Sequence, residues 1–509
     1  MADETELKLH LPATAVEALV QRKPLDSAVV RRQRLDAIYL DTADRLLQRN
    51  AMALRLRRTG RRWVQTLKSA GKADGGLSVR GEWETPSRMR GGRPHVNLAA
   101  FADTPLPALL DGRRGVRALV PVFRTRFTRD ARILIRGRSL IEVAIDRGRI
   151  ETVNARQRRY EELSEVEFEL KQGQAEDLCA LALRLIGRGR RALPLVPLPL
   201  SKAERGYLLA DDQKAAPMKA AARGFVAALA ADQSAGTALR AIMAHGLSVL
   251  LGNTEAMQRG PDDEYVHQAR VALRRMRSAL RLLDRKHKDF PEALAEDLRW
   301  VGTALGAARD ADVLAHRTLP ALVAATPTAQ RAALATLVAR ADLRRDTSHA
   351  AVVATLRRPR YAQLTLRLQA WTLSAPPEGR TLRQLAAKTL EWARRRLFDQ
   401  ARFFAALPSE RRHHVRILAK RLRYALDVFS VALPEKPTES YIDSLSGLQD
   451  ALGEMNDIAV AGVVLPSLAD EATLLATART WLDEREADLA RNAEARLLAL
   501  SELEVPWRD

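Results

Sequence analysis

The feature that most constrains this chain is a change of hydrophobic period near residue 210. Up to about residue 207, apolar and polar residues alternate on a period of two, and ETELKLHL, AMALRLRR, RWVQTLKS, LSVRGEWET, VFRTRFTR, SLIEVAID and SEVEFEL each predict a strand. From about 222 onward the pattern becomes long Ala/Leu/Arg segments at helical spacing. Between them, ADDQKAAPMKAA at 210–221 has the composition of a linker, with a proline in its middle. The expectation is an α+β chain: an antiparallel β-barrel with outer helices over 1–209, a linker at 210–221, and an all-α bundle over 222–505. A length of 509 residues suits two cores better than one.

Which residues alternate is as informative as the alternation. Successive side chains of a strand point to opposite faces, so Glu4, Glu6 and Lys8 share a face. The same holds for Arg55 with Arg57, Thr66 with Lys68, Arg80 with Glu82 and Glu84, and Arg124 with Arg126. It holds again for Glu142 with Asp146 and for Glu165, Glu167 and Glu169. The opposite faces carry mostly Leu, Val, Trp and Phe. In any single strand such a polar face ordinarily meets water. Here nearly every strand concentrates both signs of charge, and closing an antiparallel sheet of about eight strands would line a tunnel with them. Acids beside bases suit a metal–phosphate complex. Mg²⁺ or Mn²⁺ takes carboxylate and phosphate oxygens, while Lys and Arg neutralise the charge that remains.

The net charge of +21 points to a polyanionic partner: nucleic acid, an anionic membrane or polyphosphate. Aromatic residues make up 5%, and the basic stretches lack the aromatic interleaving that base stacking needs, which argues against nucleic acid. No apolar run of membrane-spanning length is evident, and MADETELKLH has no apolar core of a signal peptide. The expectation is a cytoplasmic protein. A single cysteine, Cys179, excludes an internal disulfide framework and a cysteine-based zinc site.

The helical half contains a repeat. Aligning His267 with His413 sets Arg270 against Arg416, Arg274 against Lys420, Arg275 against Arg421 and Arg277 against Arg423. Further on, LGAARDADV (305–313) matches LGEMNDIAV (452–460), so one helical unit reads as duplicated. On a helix, His267, Arg270, Arg274, Arg277 and Arg281 fall in one stripe, apart from an apolar arc of Leu273, Met276, Ala279, Leu280 and Leu283. His413, Arg416, Lys420 and Arg423 form the second stripe, which Asp427 ends. A solvated helix would intersperse acids among these bases. Asp310 and Asp457, at matching positions, read as structural groups that cap a helix or hold the stripe.

Residues 2–207 resemble the CYTH, or triphosphate tunnel metalloenzyme, family. The resemblance rests on E-x-E-x-K at Glu4, Glu6 and Lys8, followed in order by YLDT, ALRLRR, WVQTLK, RGEWE, EVAID, SEVEFEL and SKAERGY. It implies that Glu4, Glu6, Glu165 and Glu167 bind a divalent metal, Mg²⁺ or Mn²⁺, and that Asp146 serves a second one. It also implies that Lys8, Arg55, Arg57, Lys68, Arg80, Arg124, Arg126 and Lys202 grip a triphosphate. Lys8, Arg55, Arg57, Lys68 and Asp146 would act directly in catalysis, with Glu82, Glu84 and Glu169 in lesser roles.

Residues 222–500 resemble the CHAD family, on the H-x-x-R-x-x-x-R-R-x-R pattern at 267–277 and its second copy. That resemblance implies a basic channel for inorganic polyphosphate, built from His267, Arg270, Arg274, Arg277, Arg281, His413, Arg416, Lys420 and Arg423. Arg275, Arg421, Lys388, Arg394, Arg395 and Arg402 would widen it, and the histidines would strengthen binding as pH falls. The expected activity is metal-dependent hydrolysis of inorganic triphosphate, with a possible association with polyphosphate granules. The alternatives are a non-catalytic polyphosphate binder, an adenylate cyclase and a thiamine triphosphatase.

Overall fold

The computed structural model describes residues 2–508 apart from 61, 70–71, 75–76, 91–92, 112–117, 154–157, 286–287 and 470–471. It leaves undescribed the side chains of 2–3, 59, 72–74, 78–80, 88, 90, 93–94, 329–330, 333 and 472–474. The main strands are β1 (Ala2–His10), β2 (Arg31–Thr42), β3 (Ala53–Thr59), β4 (Arg62–Lys68), β5 (Leu77–Pro86), β6 (Leu119–Arg136), β7 (Ser139–Thr152) and β8 (Tyr160–Gln172). The main helices are α1 (Glu176–Ile186), α2 (Lys202–Asp211), α3 (Ala235–Arg259), α4 (Asp263–Leu283), α5 (Glu292–Val313) and α6 (Ala335–Leu356). They continue with α7 (Pro359–Leu373), α8 (Leu382–Ala401), α9 (Ser409–Phe429), α10 (Glu435–Val464) and α11 (Ala472–Glu502).

The chain divides into two compact units. One comprises Met1–Met218, Leu251–Gly260 and Leu356–Ser374; the other comprises Lys219–Leu250, Pro261–Thr355 and Ala375–Asp509. The sequence suggested contiguous domains at 1–209 and 222–505, whereas the compact units interleave.

In the first unit the strands pair antiparallel in the order β1-β8-β7-β6-β2-β3-β4-β5. β1 has a partner on each side: Lys8 faces Glu167 of β8, and Glu4 faces Arg80 of β5. The circuit of pairings therefore runs out from β1 and returns to it. The apolar parity of β1, β7 and β8 packs with α1. Leu7, Leu9, Ile141, Val143, Val166 and Phe168 meet Leu178, Leu181 and Leu185 there. Cys179 lies in this core, where burial pushes its thiol up to about 12. A second core joins Leu54, Leu56 and Leu67 to Leu47, Phe101 and Leu106. Completely burying one such side chain contributes roughly 1.5–3 kcal/mol, so apolar burial fixes which parity carries the charges.

α2 begins with a capping box, in which Ser201 accepts from the Glu204 amide and Glu204 accepts in return from Ser201. The helix packs through Tyr207 against Phe123, edge to face at 5.2 Å, and Phe123 stacks on Tyr39 at 4.4 Å. A Cβ at Gly206 would lie 2.1 Å from the Phe123 ring, so only glycine lets α2 approach this closely.

The second unit is helical. Tyr265, Leu273, Met276 and Leu280 form the buried arc of α4, as the spacing predicts, which leaves the basic residues on another arc. α4 packs against α5 and α9 against α10, so each copy of the repeat is a helix pair, and α4 also packs on α9. α5 runs directly into a π-helical turn, Leu314–Thr318. By length and composition alone α3 could cross a membrane, although 61% of its most apolar window is buried inside the protein, as in an ordinary core helix.

Candidate functional site

Residues opposite one another on neighbouring strands share a face of the sheet. Lys8 of β1 faces Glu167 of β8, Asp146 of β7 faces Glu165 of β8, and Arg129 of β6 faces Asp146. On the far side of the circuit Tyr39 faces Arg55, Arg55 faces Thr66, and Lys68 faces Glu82. The register thus gathers acids and bases from β1 and from β3 to β8 on one face.

At its centre lie Asp146, Glu165 and Glu167, all buried, each offering a carboxylate oxygen within 4.8 Å of the others. Lys202, at the first position of α2, places Nζ 2.8 Å from Asp146 and 2.8 Å from Glu167, and also bonds Glu165. Arg129 donates to Asp146 at 2.6 Å and to Glu167. Arg205, one turn along α2, donates to Glu165 at 2.7 Å. Burial pushes the Glu167 carboxyl up, but Lys202, Arg129 and Lys8 outweigh it and hold that group well below the usual carboxylate range. Around this centre Lys8 pairs with Glu6 at 2.5 Å, Lys68 with Glu4 at 2.7 Å, and Arg57 with Glu84 at 2.7 Å. Glu82 links Lys68 at 3.2 Å to Arg55 at 3.3 Å.

The helical unit holds a cavity of about 710 Å³ with a predominantly basic wall. His267, Arg270 and Arg274 come from α4, Arg309 and Asp310 from α5, and Arg317 from the π turn. Arg416 and Lys420 come from α9, Asp457 from α10 and Arg485 from α11. The bases are crowded enough to disfavour their own charge. Burial, then Arg416, Arg274 and Arg270, pull the Lys420 ammonium down to about 6. Burial and Arg309 pull His267 down to about 4.

A model of the CYTH domain matches residues 2–186, and a model of the CHAD domain matches residues 241–466. The solved CHAD domain of the plant Ricinus communis is 34% identical, with a TM-score of 0.51, over 57% of this chain and 98% of that one. This chain carries a CYTH domain followed by a CHAD domain. An inorganic triphosphatase of Haemophilus influenzae is 31% identical over 224 residues, 42% of this chain and 56% of that relative. The chain thus spans about half the length of that curated relative.

In the CYTH domain the structure brings Lys8, Arg55, Arg57, Lys68, Asp146, Glu165, Glu167 and Lys202 to one face. Glu4 and Glu6 share that face, but each is paired with a lysine and neither belongs to the three-carboxylate group. The Arg80 side chain lies outside the described residues. Arg124 and Arg126 require correction. They stand on the opposite parity of β6, where Arg124 forks onto Asp36 and Arg126 pairs with Glu151 at 3.3 Å. The residue of β6 on the charged face is Arg129, an odd number of positions away. β6 carries arginines on both parities, so alternation alone could not choose between them. Arg205, likewise missed, was legible as the residue three positions after Lys202, on the same side of α2.

In the CHAD domain the cavity wall includes His267, Arg270, Arg274, Arg416 and Lys420 but not Arg277, Arg281, His413 or Arg423. Arg281 and His413 are exposed. Arg423 bonds Ser446 at 3.2 Å and pairs with Asp427, which Arg275 also holds. Among the residues expected to widen the site, Arg394 donates to the Ser501 carbonyl and Arg395 to Glu391. Arg309, Arg317 and Arg485 were not anticipated. Asp310 and Asp457, read as structural, are both in the wall.

Proposed function

We propose that the CYTH domain hydrolyses inorganic triphosphate with a divalent cation, Mg²⁺ or Mn²⁺, and that the CHAD cavity binds inorganic polyphosphate. The observation that carries the first part is the buried Asp146, Glu165 and Glu167 group, set among lysines and arginines on one face. The strand circuit would enclose that face as a tunnel. Oxygen-only donors at this spacing fit a hard divalent cation, with Glu4 and Glu6 within the same face as further oxygen donors. When bound, that cation supplies charge neutralisation to the phosphate oxygens.

The chain's own residues do the rest by position and charge. Lys8, Arg55, Arg57, Lys68 and Arg129 release their carboxylates to hold phosphate oxygens, which places the chain of phosphates and stabilises charge developing on the leaving pyrophosphate. Glu82 and Glu84 keep Arg55, Lys68 and Arg57 oriented before substrate arrives. The Haemophilus relative's name supports the choice of triphosphate as substrate. The test is phosphate release from inorganic triphosphate, thiamine triphosphate, ATP and long polyphosphate, each with Mg²⁺ and with Mn²⁺. The reading requires triphosphate to be turned over best; preferential formation of a cyclic nucleotide from ATP would replace it.

For the CHAD cavity the support is electrostatic. Burial, and after it the neighbouring bases, disfavours charge on Lys420 and His267, and bases held in that way gain most from a polyanion threaded between them. Binding of a long polyphosphate should weaken steeply with salt, and insensitivity to salt would reject an ionic site.

A further inference from the structure

A second group of ligand-type side chains lies in the helical unit, outside the wall of the basic cavity. Asp263 stands in the first turn of α4, Asp312 near the end of α5, His316 in the π turn and His349 on α6. Asp263, Asp312 and His349 each offer a ligand atom within 4.8 Å of the others. His349 Nε2 lies 2.6 Å from Asp312 Oδ1, and His316 Nδ1 touches Asp263 Oδ2. Arg345 bonds Oδ1 of Asp263 at 2.6 Å and approaches Oδ1 of Asp312 at 3.3 Å.

One oxygen is left over. Asp312 is 1% exposed, and among the described residues its Oδ2 has no hydrogen-bond partner. A buried carboxylate oxygen without a donor is unfavourable, and native structures seldom leave one without a reason. The chain departs from α-helix at the same place: the π turn at Leu314–Thr318 follows Asp312 and carries His316 towards the start of α4. Such turns are rare and concentrate at functional sites. The donor set discriminates between cations. Hard Mg²⁺ and Ca²⁺ take oxygens alone, whereas imidazole beside carboxylate suits zinc and its neighbours.

We propose that Asp263, Asp312 and His349, with His316 as a further donor, form a binding site for a divalent transition cation of the zinc class, separate from the carboxylate group of the CYTH domain. Arg345 holds the remaining oxygens of both aspartates and fixes their orientation. A cation there ties α4, α5 and α6 together and steadies the π turn, whose Arg317 reaches into the basic cavity.

Co²⁺ titration of the full-length protein tests this, because cobalt with imidazole ligands at low coordination number absorbs visible light strongly, while oxygen-only six-coordinate cobalt absorbs weakly. The wild type and Asp146→Asn should both show the strong bands, saturating at a single equivalent. His349→Gln should lose them while keeping its metal-free circular dichroism. If His349→Gln does not fold, His316→Gln should still shift or weaken the bands. Weak bands alone in the wild type, or bands unchanged in the histidine variants, overturn the site.

Discussion

The Nζ of Lys202 lies 2.8 Å from Oδ2 of Asp146, within the carboxylate group that would receive a divalent cation. Burial pulls a lysine towards neutrality, but Asp146, Glu165 and Glu167 outweigh it and raise this ammonium above its ordinary value. Lys202 and Arg129 therefore balance charge that would otherwise be buried and unpaired. Lys202→Met should cost about 3–5 kcal/mol at neutral pH, because truncating one partner strands the others. Added Mn²⁺ should restore part of the loss. Thermal melts with and without the cation read this directly, and a variant as stable as the wild type would contradict it.

Glu167 gives the matching pH dependence. Its carboxyl is depressed in the folded state, so its contribution is complete above its unfolded value and is lost as pH falls through the folded one. Stability measured by denaturant from neutral to acid pH should fall less steeply in Glu167→Gln than in the wild type.

Arg129 and Arg124 lie on the same strand with opposite parity, which makes them a paired test of which face is chemical. Arg129→Met should reduce triphosphate turnover about a hundredfold or more, the scale of losing one charge-stabilising donor. Arg124→Met, removed from that face, should change turnover only a fewfold. Equal losses in steady-state kinetics would place the chemistry elsewhere.

Lys420 should make polyphosphate binding depend on pH. Its ammonium is pulled down to about 6 in the free protein, so it is largely neutral above that, and a bound polyanion favours the charged form. Binding then takes up a proton, and affinity should fall as pH rises from about 6 towards 8, by at most about tenfold per unit. Lys420→Arg, which cannot lose its proton in this range, should flatten the profile. Calorimetry in buffers of different ionisation enthalpy would detect the proton directly.

Gly206 is a test of how α2 is seated. With a Cβ placed 2.1 Å from the Phe123 ring, Gly206→Ala should destabilise the CYTH domain by roughly 1–3 kcal/mol. Because the shift is transmitted to Lys202, turnover should fall too. A stable variant would show that the helix can move without penalty.

Much of the fold was legible because alternation records burial. In EVEFEL the apolar parity, Val166 and Phe168, went to the core beside α1, and the acids went to the other face. Where both parities of a strand carry charge, that record fails, and the choice between Arg124 and Arg129 depended on pairing across β6 and β7. The helical stripe had a similar limit. Spacing placed Arg270, Arg274, Arg277 and Arg281 together on α4, but the cavity reaches only part of that length. Arg309, Arg317 and Arg485 reach the same cavity from helices far apart in sequence, and no local period announces them. The interleaved division of the chain was hidden for the same reason: composition at 251–260 and 356–374 is helical in either unit.

The most direct test of the central claim is release of orthophosphate from inorganic triphosphate by the wild type and by Lys8→Ala, with Mn²⁺ and with Mg²⁺. Lys8 sits between Glu6 at 2.5 Å and Glu167 at 3.9 Å, so it touches the charged face at its middle. Turnover by the wild type, and a loss of about a hundredfold or more in Lys8→Ala that is still folded by circular dichroism at the assay temperature, is the predicted result. Wild-type protein that releases no phosphate with either cation, or a folded Lys8→Ala variant of full activity, would contradict it.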